Sequence, residues 1–338
     1  MSRFVPVKVL LIAAVLACAA ATPAQARPAE EPQLGVFAIT DRLARLIAVH
    51  GNPHASLTEQ SPRLATAVNS ANKDVLAAKG LPANGGSVLR IRLADPAMRK
   101  ALALGAKPLV AATPTDDTAE AIVGYDSAGK AVLLDAAKVP QRPVYLVEVD
   151  VAKAMPLGMS VIEQKLGTRA IAPMAGGYWA TKVNAVRLSD DEEPWFKGGA
   201  EVYSIVGGFG LDGHPAVNVV QMPYLDHDGT TYYPNQLLVH FSAYKYNLAD
   251  VVMMEDDGDT NYQQLAIAIA NALLTVVDGG AYAPLVSAIL SAIPASWWTD
   301  DPDYVDSWYT LATYSGGRLN GARANGWMDV SPYWVAPL

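Results

Sequence analysis

Three short runs of carboxylates stand out in the second half of the chain: Asp190-Asp191-Glu192-Glu193, Glu255-Asp256-Asp257-Gly258-Asp259, and Asp300-Asp301-Pro302-Asp303 with Asp306 close behind. The first two follow the apolar stretches KVNAVRL and ADVVMM, and the third precedes YVDSWYTL. Carboxylates crowded at the ends of buried strands repel one another and lose hydration, so a positive partner is expected. An all-oxygen donor set suits a hard cation, and calcium accepts six to eight oxygens in flexible geometry. The expected ligands are Asp190, Asp191, Glu193, Asp256, Asp257, Asp259, Asp300, Asp301 and Asp303. Zinc would need His or Cys ligands, yet the histidines are scattered (50, 54, 214, 227, 240) and Cys18 is the only cysteine. An EF-hand is excluded as well. Asp257-Gly258-Asp259-Thr260-Asn261 mimics its first half, but Tyr262 stands at the required glycine and Ala268 at the bidentate glutamate. Two other readings stay open. The runs could be solvated loops that keep an apolar protein soluble, or pairs such as Asp190/Asp257 could serve as acid and base in a hydrolase. Neither G-x-S-x-G nor H-E-x-x-H occurs.

The elements that would position these loops differ between the two halves. LGVFAITDRLARLIAVHG, with Val36, Ile39, Leu43, Leu46 and Ile47 at helical spacing, predicts a helix ending at Gly51. VLRIRL at 88–93 alternates as a strand does, and Asp95-Pro96 opens a short helix. PLVAATP, EAIVGYD, KAVLLDA and PVYLVEVD follow as strands, and MSVIEQKLG as a helix. Residues 34–175 are therefore expected to form a small α+β domain, with a boundary in the Pro/Gly-punctuated stretch 172–180. From 181 to 338 the texture is that of an antiparallel β-sandwich: KVNAVRL, AEVYSIV, AVNVVQM, NQLLVHFSAY, ADVVMM, YVDSWYTL and GWMDVSPYWV. A helical hairpin, NYQQLAIAIANALLTVV and APLVSAILSAI, interrupts it over 262–293. That hairpin is apolar nearly all round, which predicts core packing; insertion into a lipid surface is the rival reading.

The 338 residues, 51% hydrophobic and 17% charged, exclude general disorder. Arg3 and Lys8 precede an apolar run from Val9 to Ala21, and Ala24-Gln25-Ala26 then offers small residues for cleavage. This pattern predicts a signal peptide over 1–26 and a periplasmic or secreted protein, with lipidation at Cys18 as the alternative. Between Ser189 and Asp306 there are 18 acidic residues and two basic ones, a local charge of -16. That half is no partner for nucleic acid. Six of seven Trp (195, 297, 298, 308, 327, 334) also follow residue 194. They fit either a β core or a stacking surface for sugars.

DDEEPWFKGGAEVYSIV, MPYLDHDGTTYYPNQLLVHFSAYKY, EDDGDTNYQQLA and DDPDYVDSWYTL, in that order, resemble the hallmark blocks of a bacterial family catalogued as a domain of unknown function, number 3103. The likeness is strongest over roughly 185–312 and implies no activity. More coarsely, the second half resembles a C2 domain, the calcium-dependent membrane-binding module. That resemblance implies one ligand loop at Asp190 or Asp191 and a second at Asp257 and Asp259. The helical hairpin after the second loop and the lack of a basic patch are departures from that family. The expectation is an exported calcium-binding protein, a binding or structural module at the cell envelope facing polysaccharide or a membrane surface. Carbohydrate binding and an uncharacterised hydrolase are the alternatives.

Overall fold

The computed structural model describes residues 35–114, 119–166, 176–190, 195–198, 200–256, 258, 260–293 and 304–337. The first amphipathic stretch is helix α1 (Val36–His50), which buries Val36, Ile39, Leu43 and Ile47 and ends at Gly51. Helix α2 (Pro62–Ala78) was not among the expected elements. Ser61 precedes it and Pro62 fills its first position, where the missing N–H costs nothing. Much of its length is alanine and polar residues, which blurs the apolar stripe.

Strands β1 (Leu89–Leu93), β2 (Leu109–Ala112), β3 (Ala121–Tyr125), β4 (Ala131–Asp135) and β5 (Val144–Val149) form one sheet in the order β1-β5-β2-β3-β4. All pairs are antiparallel except β2 with β5. Between β1 and β2, the Asp95 carboxylate caps a 3-10 turn (Pro96–Met98) by accepting the Ala97 N–H at 2.7 Å, and helix α3 (Arg99–Ala103) follows. Helix α4 (Val151–Leu166) starts directly after β5, earlier than MSVIEQKLG predicts, with Pro156 inside it.

The remaining strands are β6 (Tyr178–Leu188), β7 (Tyr203–Phe209), β8 (Pro215–Gln221), β9 (Gln236–His240), β10 (Leu248–Met254), β11 (Tyr304–Ala312), β12 (Gly317–Asn320) and β13 (Gly326–Val335). They make two four-stranded antiparallel sheets, β11-β10-β7-β8 and β12-β13-β6-β9. Val183 and Val186 of one sheet and Val206, Val251 and Met253 of the other share a core. Helices α5 (Tyr262–Leu273) and α6 (Val286–Ala292) arise between β10 and β11.

The sheet that contains β7 and β10 is covered on both faces. Strand residues alternate sides, so Val206, Val251 and Met253 point into the core between the sheets. Tyr203, Ile205, Val252 and Met254 join a second core built on α1, α2, α4, α5 and α6. Every residue of β7 is buried in consequence. Leu89, Val110, Val147 and Val149 of the five-stranded sheet enter that same second core. The opposite face of the five-stranded sheet carries a third core, where Leu109, Val144 and Leu146 meet Phe196 and the half-buried Trp195. The fold is thus α+β, and residues 34–338 group as one compact unit. Among the described residues no helix is long and apolar enough to cross a membrane.

Candidate functional site

The chemistry-bearing side chains gather where the five-stranded sheet meets the turns that follow β6 and β10. In the antiparallel register of β1 with β5, Arg90 lies opposite Glu148. Arg92, two residues along, projects to the same side. Both guanidiniums donate Nε–H to Glu148 Oε1 at 2.6 Å, and the Thr113 hydroxyl donates to Oε2 at 2.6 Å. Arg92 also donates to the Ala94 carbonyl at 3.1 Å and to the Phe196 carbonyl at 2.8 Å. These bonds, with Trp195 Nε1–H donating to the Ala136 carbonyl at 2.5 Å, pin the turn after β6 to the five-stranded sheet. Burial opposes the Arg90 charge, but Glu148, through charge and hydrogen bonding, together with the charges of Glu201 and Asp150 outweighs it, and the Arg90 pKa rises.

A small open cleft lies beside this cluster, lined among others by Arg90, Thr113, Glu148, Lys197, Gly198 and Glu201. Its volume is about 40 Å³, room for two or three waters. Glu201 stands just before β7, and its backbone N–H donates to Glu255 Oε1 at 3.3 Å. Burial is the first cause that pushes the Glu201 carboxyl up to about 8; nearby Asp256 and Glu148 add to the rise, while Arg90 and Arg92 oppose it.

Asp256 closes the floor of the cleft. It is fully buried and paired with the fully buried Lys79 at 3.4 Å. The Tyr262 hydroxyl donates to its Oδ2, and the Gly258 N–H donates to Oδ1 at 3.0 Å. Gly258 has φ +87°, a conformation that favours glycine. The Lys79 ammonium also lies 5.0 Å from the centre of the Tyr262 ring. The end of α2 is sewn to the start of α5: the Tyr262 N–H donates to the Lys79 carbonyl at 3.0 Å, and Asn261 Nδ2 donates to the Ala78 carbonyl at 2.7 Å. Gly158 of α4 makes room for the tyrosine, since a Cβ there would stand 2.4 Å from its ring. Burial, then the neighbouring Asp256, raise the Tyr262 pKa well above the ordinary range, so its hydroxyl stays a donor.

Of the nine expected metal ligands, Asp190 and Asp256 are described; Asp191, Glu193, Asp257, Asp259, Asp300, Asp301 and Asp303 lie outside the described residues, as do Trp297 and Trp298. Asp190 is exposed, and its backbone exchanges hydrogen bonds with the Asn325 side chain at 3.1 and 2.9 Å. Asp306 is fully buried and accepts four backbone N–H groups, from Ser307 and Arg323 at 2.8 Å and from Asn325 and Gly326 at 2.9 Å. The strand ends that carry the three acidic runs meet at one end of the paired sheets. Met254 of β10 lies opposite Tyr304 of β11. The Ser189 N–H, at the end of β6, donates to the Asn325 carbonyl at 2.7 Å, and Asn325 Nδ2 reaches the Val305 carbonyl at 3.4 Å. Among the described residues no group of three His, Cys, Asp or Glu side chains could hold a metal ion.

Sequence reasoning missed Lys79, Arg90, Arg92, Glu148, Glu201 and Tyr262. A signal was available for some of them. Two arginines at alternate positions of LRIRL and one glutamate inside VYLVEV are charges placed in strands that are otherwise apolar. A buried charge of that kind demands a partner.

Over residues 45–338 the chain matches the family described as "Protein of unknown function (DUF3103)". No curated protein and no solved structure matches it.

Proposed function

The chain belongs to the DUF3103 family, whose description carries no activity, and we propose that it is an exported protein whose second half binds calcium at the end of its paired sheets. The observation that carries this reading is the meeting of the β6, β10 and β11 ends, each continuing into an acidic run. Two four-stranded antiparallel sheets over one core, with such turns at one end, support the finer reading of a C2-like sandwich. Asp256 is a brace in this scheme, because Lys79 and Tyr262 engage both of its oxygens. The ligands are drawn from Asp190, Asp191, Glu193, Asp257, Asp259, Asp300, Asp301 and Asp303, a set of oxygen donors matched to a hard cation. Calcium there would neutralise the runs and tie three turns together, making a rigid module for a partner at the cell envelope. Export rests on the basic, apolar and A-x-A pattern of the first 26 residues.

Thermal unfolding of the chain from Arg27 onward, with calcium and with EDTA, tests the reading. An ion that binds only the folded state at a hundredfold excess over its Kd adds about 3 kcal/mol, so melting should rise with calcium and fall back with EDTA. Asp257→Asn combined with Asp259→Asn should abolish the rise. A melting temperature indifferent to both reagents sinks the proposal.

A further inference from the structure

The cleft at the edge of the five-stranded sheet holds two polar groups that the protein itself does not satisfy. Arg90 spends Nε on Glu148 and leans Nη1 toward Asp150 at 3.7 Å. Its Nη2 meets no acceptor among the described residues. The Glu201 carboxyl likewise has no hydrogen-bond partner among them, although it feels the Arg90 charge. The two groups line one opening whose wall at Gly198 lacks a side chain. A Cβ built there would stand 3.6 Å from Arg90 Nη2 and 3.9 Å from Arg92 Nη2. The glycine therefore leaves the guanidinium edge uncovered. Its neighbours are saturated: Glu148 already receives three donors, and Asp256 is occupied by Lys79, Tyr262 and Gly258.

We propose that this cleft binds the carboxylate group of a small organic acid, or of a larger molecule that enters by its carboxylate end, between Arg90 Nη2 and the Glu201 side chain. Size supports the choice, since about 40 Å³ admits a planar three-atom group and little more. The charged groups at and beside the cleft are Arg90 and Arg92 from β1 and Lys197 from the turn after β6, with Glu148 and Asp150 at the end of β5 and Glu255 and Asp256 after β10. Buried Lys79 offsets Asp256. A Glu201 carboxyl pushed up to about 8 keeps its proton at neutral pH, so it donates to an anion instead of repelling it. A guanidinium edge and a carboxylic acid then supply two donors to two oxygens, which matches carboxylate geometry. Asp256 and Gly258 of the second acidic run line the cleft, but neither supplies the proposed contacts.

Titration of the full mature chain with acetate and with inorganic phosphate, at constant ionic strength and with EDTA present, tests this. Carbon-13-labelled acetate followed by NMR reports binding, and circular dichroism reports folding. Acetate is expected to bind at pH 6.5 and to weaken at least tenfold by pH 9, as Glu201 ionises. Glu201→Gln keeps a donor that cannot ionise, so its binding should change less than threefold over that range. Gly198→Leu leaves both Arg90 and Glu201 in place but plugs the opening, and it should abolish binding while the chain stays folded. Acetate that fails to bind the folded wild type overturns the proposal. So does phosphate binding tenfold tighter than acetate, or a folded Gly198→Leu variant that binds as wild type does.

Discussion

Two groups of buried carboxylates are held by opposite means. Glu148 and Asp256, at the edge of the five-stranded sheet, are answered by cationic side chains: Arg90 and Arg92 for one, Lys79 for the other. Asp250 and Asp306, within β10 and β11, are answered by the main chain. Asp250 accepts the Thr310 N–H at 2.7 Å and the Leu285 N–H, and Asp306 accepts four such groups. The difference accounts for a small part of the charge asymmetry. Backbone amides stabilise an anion without adding a cation, so a segment of local charge -16 can bury carboxylates with only two basic residues of its own. Amides fixed by strands and turns also lose no side-chain entropy when they bind. A lysine or arginine loses it, but can reach between elements distant in sequence, as Lys79 reaches Asp256.

Removing a backbone-held carboxylate should have the larger effect, because several donors lose their acceptor at once. Asp306→Ala leaves four buried or part-buried N–H groups without the acceptor they share, and about 1–3 kcal/mol attaches to each orphaned group. Urea unfolding should show a loss of at least about 4 kcal/mol, enough to unfold a marginal chain. A loss below about 1 kcal/mol would mean that water reaches these amides. Removing a paired cation comes next. Lys79→Met leaves Asp256 buried and unpaired, at an expected cost of about 3–5 kcal/mol. That loss should be repairable. Adding Asp256→Asn to Lys79→Met should restore most of it, since a neutral amide needs no cation yet still offers an acceptor to Tyr262 and Gly258. No second substitution should rescue Asp306→Ala in that way.

Most strands and helix α1 were legible because alternation and helical spacing are properties of neighbouring residues. β5 reads directly from PVYLVEVD, and α1 from its five spaced apolar residues. Helix α2 hid behind alanine, and β12, four residues with only Leu319 apolar, carries too little pattern to be found. The site was less legible, for a related reason. Acidic runs announce themselves because like residues adjoin, whereas Lys79 and Asp256 are 177 positions apart and only the fold unites them. Asp256 itself was expected to await an external cation, and Lys79 supplies a positive charge from within. Asp306 stood in the sequence as one more member of an acidic run; its role appears only once the turn at 321–326 folds over it.

Glu201 belongs to neither group, and so it provides the smallest and most specific test. Among the described residues it has neither a paired cation within hydrogen-bond reach nor a set of amides, and burial holds its pKa near 8 against an ordinary 4.5. The sign follows from which state holds the proton. Below pH 4.5 folded and unfolded chains are both protonated at this residue, and its folding penalty is absent. Between 4.5 and about 8 the unfolded chain releases the proton while the folded chain keeps it, so stability falls as pH rises. Above 8 both are ionised and the penalty is constant. The shift bounds the effect at about 5 kcal/mol, and water in the open cleft should reduce it to about 1–3 kcal/mol. Glu201→Gln cannot ionise. Its melting temperature should therefore match the wild type near pH 4.5 and exceed it progressively up to pH 8.5, by a few degrees at most. Parallel profiles for the two proteins across that range would show that Glu201 is solvated like any surface carboxylate, and that the division between cation-held and amide-held acids has no third case.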